Sequence, residues 1–251
     1  MLTITNEQLK KYFVNAVGLN EKPRRVAVSA IKNYLYAVTG VAVGEKENER
    51  KISLVVDSEL DTPYTDGFKI LPDGEDVLIT GKTQRAVVYA SFAFAEECLG
   101  VKFLTADCEI VPKKEAFTVK EYSYEPLFDM RTYLVGDTFQ QLSNQDFMAK
   151  VRIKDLFTEP DEAHGGRVEV YGRNVCHNFH YYVPYEKYGK THPEFYRHIV
   201  VNDENMTTVD ITNGLKDDGT LDETKEESVV KSVIDEMYKD VLAFPEVRVF
   251  A

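Results

Sequence analysis

The sequence predicts an α+β N-terminal domain, a sheet with two helices on one face, followed by an α/β segment that forms the first part of a (β/α)8 barrel. Three observations carry that reading. Two helix-period segments, 23–40 and 86–99, lie among short β-branched runs in the first half. A polar stretch ending in proline, Glu121–Pro126, separates the halves as a linker. From residue 127 onward strands and helices alternate, the rhythm of β/α units. The boundaries are therefore placed at 1–124 and 125–251.

In the first half, Leu2–Thr5 alternates and reads as a short strand. From Pro23, Ala27, Ile31, Leu35 and Val38 recur at helical spacing, with Tyr34 beside them and Gly40 as the stop. Ile52–Val56 is a β-branched strand. Gly67–Leu71 and Val77–Thr80 flank Pro72-Asp73-Gly74-Glu75-Asp76, whose turn chemistry makes a hairpin. The run Ala86–Leu99 is apolar over so wide a surface that it must be buried on more than one side, between the sheet and a second body. Val101–Leu104 and Phe117–Val119 complete the strands. Gly81-Lys82-Thr83 is not a phosphate loop, because the upstream glycine of that motif is replaced by Asp76. It reads as a plain strand-to-helix turn.

In the second half, Leu127–Val135 is the expected first barrel-like strand and Ser143–Phe157 a helix capped by Ser143 or Asn144. Val168–Tyr171 leads into helical turns at 184–188 and 192–196, then strands at 198–201 and 207–212. Ser228–Leu242 holds the 3.6 period, with Glu226 and Glu227 at its start where the helix dipole favours acids. Val247–Phe250 is a last strand. A full barrel takes about 250 residues, so the segment is expected to be a fragment of a longer barrel.

Composition narrows the partners. A formal net charge of -12 repels phosphate backbones and anionic lipid, which argues against nucleic acid and membrane surfaces. No stretch is long and apolar enough to span a bilayer, and no basic-apolar leader opens the chain, so a cytoplasmic location is expected. Three cysteines without a CxxC pair give no disulfide framework. No cofactor is expected, and the composition leaves the oligomeric state open.

The stretch Cys176–Tyr196 concentrates the chemistry. All five histidines, His164, His177, His180, His192 and His198, lie in or beside it, among many aromatic rings. Apolar rings beside hydrogen-bonding groups suit a sugar, which has apolar C–H faces and a polar edge. A structural aromatic cluster is the alternative. His177 and His180 have an x2 spacing that is weak as a metal signature, and no third ligand is obvious, so hydrogen bonding is the favoured role and no metal is expected. His192-Pro193-Glu194 reads as a cap and turn. Asn213, before Gly214, is either a ligand contact or a turn residue.

Two runs carry a family resemblance. Arg85-Ala86-Val87-Val88-Tyr89 through Glu96-Glu97-Cys98-Leu99-Gly100-Val101-Lys102-Phe103-Leu104, followed by Glu109-Ile110-Val111-Pro112-Lys113, resembles the N-terminal domain of family-20 β-hexosaminidases and family-67 α-glucuronidases. Pro126-Leu127-Phe128-Asp129-Met130-Arg131, Cys176-His177-Asn178-Phe179-His180, Pro184-Tyr185-Glu186-Lys187-Tyr188, His192-Pro193-Glu194-Phe195-Tyr196 and Val209-Asp210-Ile211-Thr212-Asn213 resemble a bacterial glycoside-hydrolase-like family, the domain of unknown function 4838 type. Ala86 stands where that pattern has glycine after Arg85, and Cys176 where it has glycine before His177.

The resemblance implies a carbohydrate substrate, part of a glycoside hydrolase acting on O-glycosyl bonds, and Arg131 at a position that grips sugar hydroxyls. A salt bridge to Asp129 or Asp137 is the alternative for that arginine. The implied substrate-binding set is Arg131, His177, His180, Tyr181 and Asn213. A glycosidase needs two carboxylates roughly 5–9 Å apart. Asp129, Asp137, Glu169, Glu194 and Asp210 are candidates, but no pair stands out, and the resemblance places the acid–base pair on a barrel strand after Ala251. A non-catalytic carbohydrate-binding module, or an inactive fragment, is the competing expectation.

Overall fold

The computed structural model describes residues 1–128, 131, 145–153, 162–166, 170–171, 179–201, 204–243 and 249–250. The chain falls into two compact units, Met1–Arg167 and Val168–Ala251. Among the described residues it is a mixed α/β protein.

The first unit is built on a five-stranded sheet. Its strands are β2 (Tyr12–Val17), β3 (Arg50–Val56), β4 (Phe68–Asp73), β5 (Asp76–Gly81) and β9 (Tyr122–Tyr124), in the order β2-β3-β5-β4-β9. β2, β3 and β5 run parallel, and β4 is antiparallel to both neighbours. Parallel neighbours require a crossover, and α2 (Glu21–Thr39) supplies the one between β2 and β3. α2 follows its expected period: Ala27, Ile31, Leu35 and Val38 are buried, and the helix stops at Gly40. Glu21 in its first turn suits the dipole.

The hairpin forms as its residues predict. Asp73 pairs with Asp76 across a two-residue turn whose first position, Gly74, has φ +62°. That is the geometry of a II′ turn, which matches the right-handed twist of the strands. β5 ends at Gly81 and turns directly into α3 (Gln84–Glu97), where the Thr83 hydroxyl accepts from the Ala86 N–H at 3.2 Å. Lys82 donates to the Thr62 carbonyl at 2.9 Å. Gly81-Lys82-Thr83 is thus a capped strand-to-helix turn, not a phosphate cradle.

α3 is buried along almost its whole length, from Arg85 to Ala95. It lies on β3, β4 and β5 and against α2, which contacts the sheet at β2, so both helices occupy one face. The covering expected from a second body comes instead from α4 (Gln145–Lys150) and the 3-10 turn Glu162–His164, both in the same unit. A Cβ on Gly165, where φ is +71°, would stand 2.4 Å from the Arg85 nitrogen. That close approach seats the 162–166 turn on the start of α3. Outside the main sheet, β1 (Leu2–Thr5) pairs with β8 (Ala116–Val119), and β6 (Lys102–Thr105) with β7 (Cys108–Ile110). α1 (Asn6–Leu9) follows β1 in a capping box made by Thr5 and Gln8.

The structure departs from the sequence expectation at several elements of this unit. Tyr12–Val17, read as no element, is an edge strand with Tyr12 and Val14 buried. Its partner lies nearly forty residues later, so its strand character is not local. The expected linker contains β9, an edge strand held by three residue pairs to β4 and by Tyr124 stacking on Phe68 at 4.9 Å. The helix expected over 143–157 ends at Lys150, with Arg152 at φ +59°. Finally, the parallel βαβ unit makes the first unit α/β at its centre rather than purely α+β. Of the strand expected at 127–135, Leu127 and Phe128 are exposed and outside any strand, and apart from Arg131 the rest lies outside the described residues.

In the second unit, β10 (Val170–Tyr171) pairs in parallel with β13 (Val249–Phe250). β11 (Tyr196–Val201) and β12 (Glu204–Val209) form an antiparallel hairpin, and the 3-10 turn Ile211–Gly214 takes the end of the strand expected at 207–212. The antiparallel pairing departs from the all-parallel rhythm read from the sequence, and among the described residues no barrel closes. α5 (Phe179–Tyr182), α6 (Tyr185–Tyr188) and α7 (Val229–Ala243) complete the unit. Its core is Tyr182, Val183, Phe195, Tyr196, Val209, Val229 and Val233. No helix among the described residues is long and apolar enough to cross a membrane.

Candidate functional site

The aromatic-histidine stretch divides between a core and a surface. Tyr182, Val183, Phe195 and Tyr196 are buried, and the Tyr196 hydroxyl donates to the Val183 carbonyl at 2.7 Å. The His192 ring stacks on Phe195, centroids 4.6 Å apart, and Tyr185 meets Tyr196 edge-on at 5.0 Å. Burial, with smaller contributions from the Tyr188 phenol and the Glu186 carboxylate, pushes the Tyr196 phenol up to about 12. This part of the stretch is packing. Phe179, Tyr181 and Tyr185 instead remain 44%, 43% and 48% exposed, with His180 also exposed on α5. On α5, Tyr182 turns inward and leaves Phe179, His180 and Tyr181 on the exposed side, and α6 buries none of its residues.

The predicted site residues separate. His180 and Tyr181 are neighbours on α5; His177 lies outside the described residues. Asn213 is partly buried, and its Oδ1 accepts from the Val229 N–H at 3.2 Å, at the first turn of α7. Ser228 caps the same turn through Lys231 N–H at 3.2 Å. Asn213 therefore satisfies an otherwise orphaned helix donor. The turn expected here forms as the 3-10 helix Pro193–Phe195, but His192 makes no side-chain cap bond, its Nδ1 lying 3.3 Å from Glu194 Oε1 instead. The Asp210 carboxylate accepts from the Thr212 N–H and hydroxyl at 3.1 and 2.6 Å.

Arg131 belongs to the first unit. Its Nη2 meets Asp66 Oδ2 at 2.5 Å, its Nε donates to the Arg152 carbonyl at 3.0 Å, and its Nη1 to the Phe128 carbonyl at 2.9 Å. Asp66 is fully buried and also holds Arg85, whose Nε and Nη2 approach Oδ1 at 2.9 and 2.8 Å. The acid opposite Arg131 is thus Asp66, which no local spacing could nominate.

A second polar network in the first unit has no counterpart in the sequence reading. The Tyr34 hydroxyl on α2 donates to the Glu109 carboxylate at 2.9 Å, and Lys150 on α4 reaches Glu109 at 2.6 Å. Burial, reinforced by that bond to Glu109, pushes the Tyr34 phenol up. Asp146 meets His164 at 2.6 Å, and that hydrogen bond holds its carboxyl below the usual range. Four separate segments assemble the network, so its one signal in the sequence is Tyr34 standing beside the buried stripe of α2. Among the described residues no group of three metal-ligating side chains occurs.

No family model matches the chain, and no curated protein matches it. Among solved structures it is similar to a GH138 enzyme targeting pectin rhamnogalacturonan II. The likeness covers 34% of this chain at 19% identity, with a TM-score of 0.29. The match spans about a tenth of the length of that enzyme, 10% of its chain. It is a weak, low-coverage likeness to a glycoside hydrolase, and the functional reading rests on the residues.

Proposed function

We propose that this is a carbohydrate-active protein, part of a glycoside hydrolase acting on O-glycosyl bonds of oligo- or polysaccharides. In this reading residues 1–124 are a hexosaminidase/α-glucuronidase-like N-terminal domain and 125–251 the beginning of a barrel-like glycosidase domain, of which Arg131, α4 and the 162–166 turn pack within the first unit. The observation that carries the proposal is the outward-facing set Phe179, His180, Tyr181 and Tyr185. Three rings, each more than 40% exposed on two short adjacent helices, form a patch that a partner can cover. A sugar lays its C–H face on the Tyr181 ring, while the His180 imidazole donates or accepts at a hydroxyl. His177, outside the described residues, is kept as a substrate-binding candidate in this proposal. The bonds of Arg131 to Asp66 in the first unit, and of Asn213 to the first turn of α7 in the second, suit structural roles for these two candidates.

A non-catalytic carbohydrate-binding module is the second reading. It is favoured by the local bonding of two candidate acids, Asp210 to Thr212 and Glu194 to His192. A glycan array and a panel of aryl glycosides separate the two. Tyr181→Ala is expected to weaken glycan binding about tenfold, the equivalent of roughly 1.4 kcal/mol. Turnover that falls with binding supports the hydrolase; binding without turnover supports the module. Glycan binding that ignores both Tyr181→Ala and His180→Ala refutes the surface as a sugar platform.

A further inference from the structure

We infer that the first unit carries a saccharide-binding groove of its own, between one face of α2, β7 and α4. The groove encloses about 570 Å³, within the range of about 300–1,000 Å³ typical of small-molecule sites. On α2, Arg25, Ser29, Asn33 and Ala37 stand four residues apart and so share a face. Phe92, Ala30 and Val111 form its apolar part. Asn33, Tyr34, Glu109, Asp146 and Lys150 supply the polar edge.

The chemistry of that edge selects the ligand. Lys150 already faces Glu109, and Asp146 already faces His164. Lys150 also sits 5.7 Å from the centre of the Phe92 ring and 5.5 Å from that of Phe103, which holds it against the apolar wall. Glu109 and Asp146 are balanced by Lys150 and Arg25, so the lining offers neither an anion nor a cation a net attraction. A neutral polyhydroxylated ring needs none. Its hydroxyls can donate to the remaining lone pairs of Glu109 and Asp146 and accept from Asn33, while its C–H face lies against Val111 and Ala37, the half-buried part of the apolar lining. The groups are held in place by one another, so little ordering is required on binding. This groove lies wholly in the first unit and does not depend on the second unit's aromatic surface being a sugar platform.

The test is an amide-resolved NMR titration of the full chain with neutral methyl glycosides of glucose, galactose, xylose and N-acetylglucosamine, alongside sodium glucuronate. At least one neutral glycoside is expected to shift amides of residues 25–37, 109–111 and 145–150, with a Kd of about 1 mM, the weak end of specific binding. Asn33 is exposed on α2, so Asn33→Arg fills the groove without touching the core. It is expected to raise that Kd about tenfold or more, while Tyr181→Ala leaves it unchanged. The inference is overturned if no neutral glycoside shifts those amides, if glucuronate alone does, or if Asn33→Arg leaves the Kd as it was. Shifts confined to residues 179–188 also overturn it, while supporting the second unit's surface.

Discussion

Asp66 and Arg131 face each other across 65 residues of chain, the carboxylate fully buried and the guanidinium Nη2 at 2.5 Å. Arg85 holds the other carboxylate oxygen. Two cations share one buried anion, and removing it takes that counter-charge from both guanidiniums at once. Asp66→Asn is expected to destabilise the protein by roughly 3–5 kcal/mol, read as a shift of the urea midpoint. Arg131→Lys keeps a charge but loses the planar fork that serves two backbone carbonyls at once, and is expected not to restore stability.

Adjacent tyrosines on α5 are expected to behave in opposite ways. Tyr182 is 4% exposed in the second unit's core, so Tyr182→Ala should cost about 3–5 kcal/mol. Tyr181→Ala removes an edge-on contact with Tyr182 at 5.2 Å and should cost about 0.5–1.5 kcal/mol, while weakening glycan binding. Chemical denaturation of the two variants, run beside the glycan array, checks both halves. Equal destabilisation would place Tyr181 in the packing and remove it as a contact residue.

Asn213→Ala withdraws the acceptor at the start of α7 and is expected to cost about 1 kcal/mol. Asn213→Asp keeps an acceptor near the positive end of the helix and should recover most of that loss. Thermal melts of the pair, with glycan affinity unchanged in both, would identify a cap rather than a sugar contact.

Tyr196 sets an alkaline limit. Its phenol, pushed up to about 12, favours the protonated form in the folded state. Its contribution is therefore intact below the unfolded value of about 10 and is lost as pH rises through the folded value. Tyr196→Phe should flatten the fall of stability across that window, measured as urea midpoints at a series of alkaline pH values.

Asp146 acts at the other end of the scale. Its carboxyl is held low by the His164 hydrogen bond, so its contribution is present above the ordinary aspartate range and is lost as pH falls through the depressed folded value. His164→Ala should remove that acid-side dependence. Melts between neutral and strongly acid pH, wild type against variant, measure it; parallel curves would show that the pair is too solvated to matter.

The amino-acid sequence by itself determined the elements whose cause is local. The stripe Ala27, Ile31, Leu35, Val38 makes α2, Asp73-Gly74 makes the β4–β5 hairpin, and the Val229–Leu242 period makes α7. Each depends on neighbours within a few positions, where periodicity and turn chemistry are readable. Tertiary structure decided what depends on distant partners. It made Tyr12–Val17 a strand by pairing it with Arg50–Val55, and it gave Arg131 its partner in Asp66. It also sorted the rings of one short stretch, burying Tyr182 and Tyr196 while leaving Tyr181 and Tyr185 in water. The groove of Tyr34, Glu109, Asp146 and Lys150 exists only where three separated segments meet. Long-range pairing and burial are set by which surfaces come together, and residue spacing does not encode that.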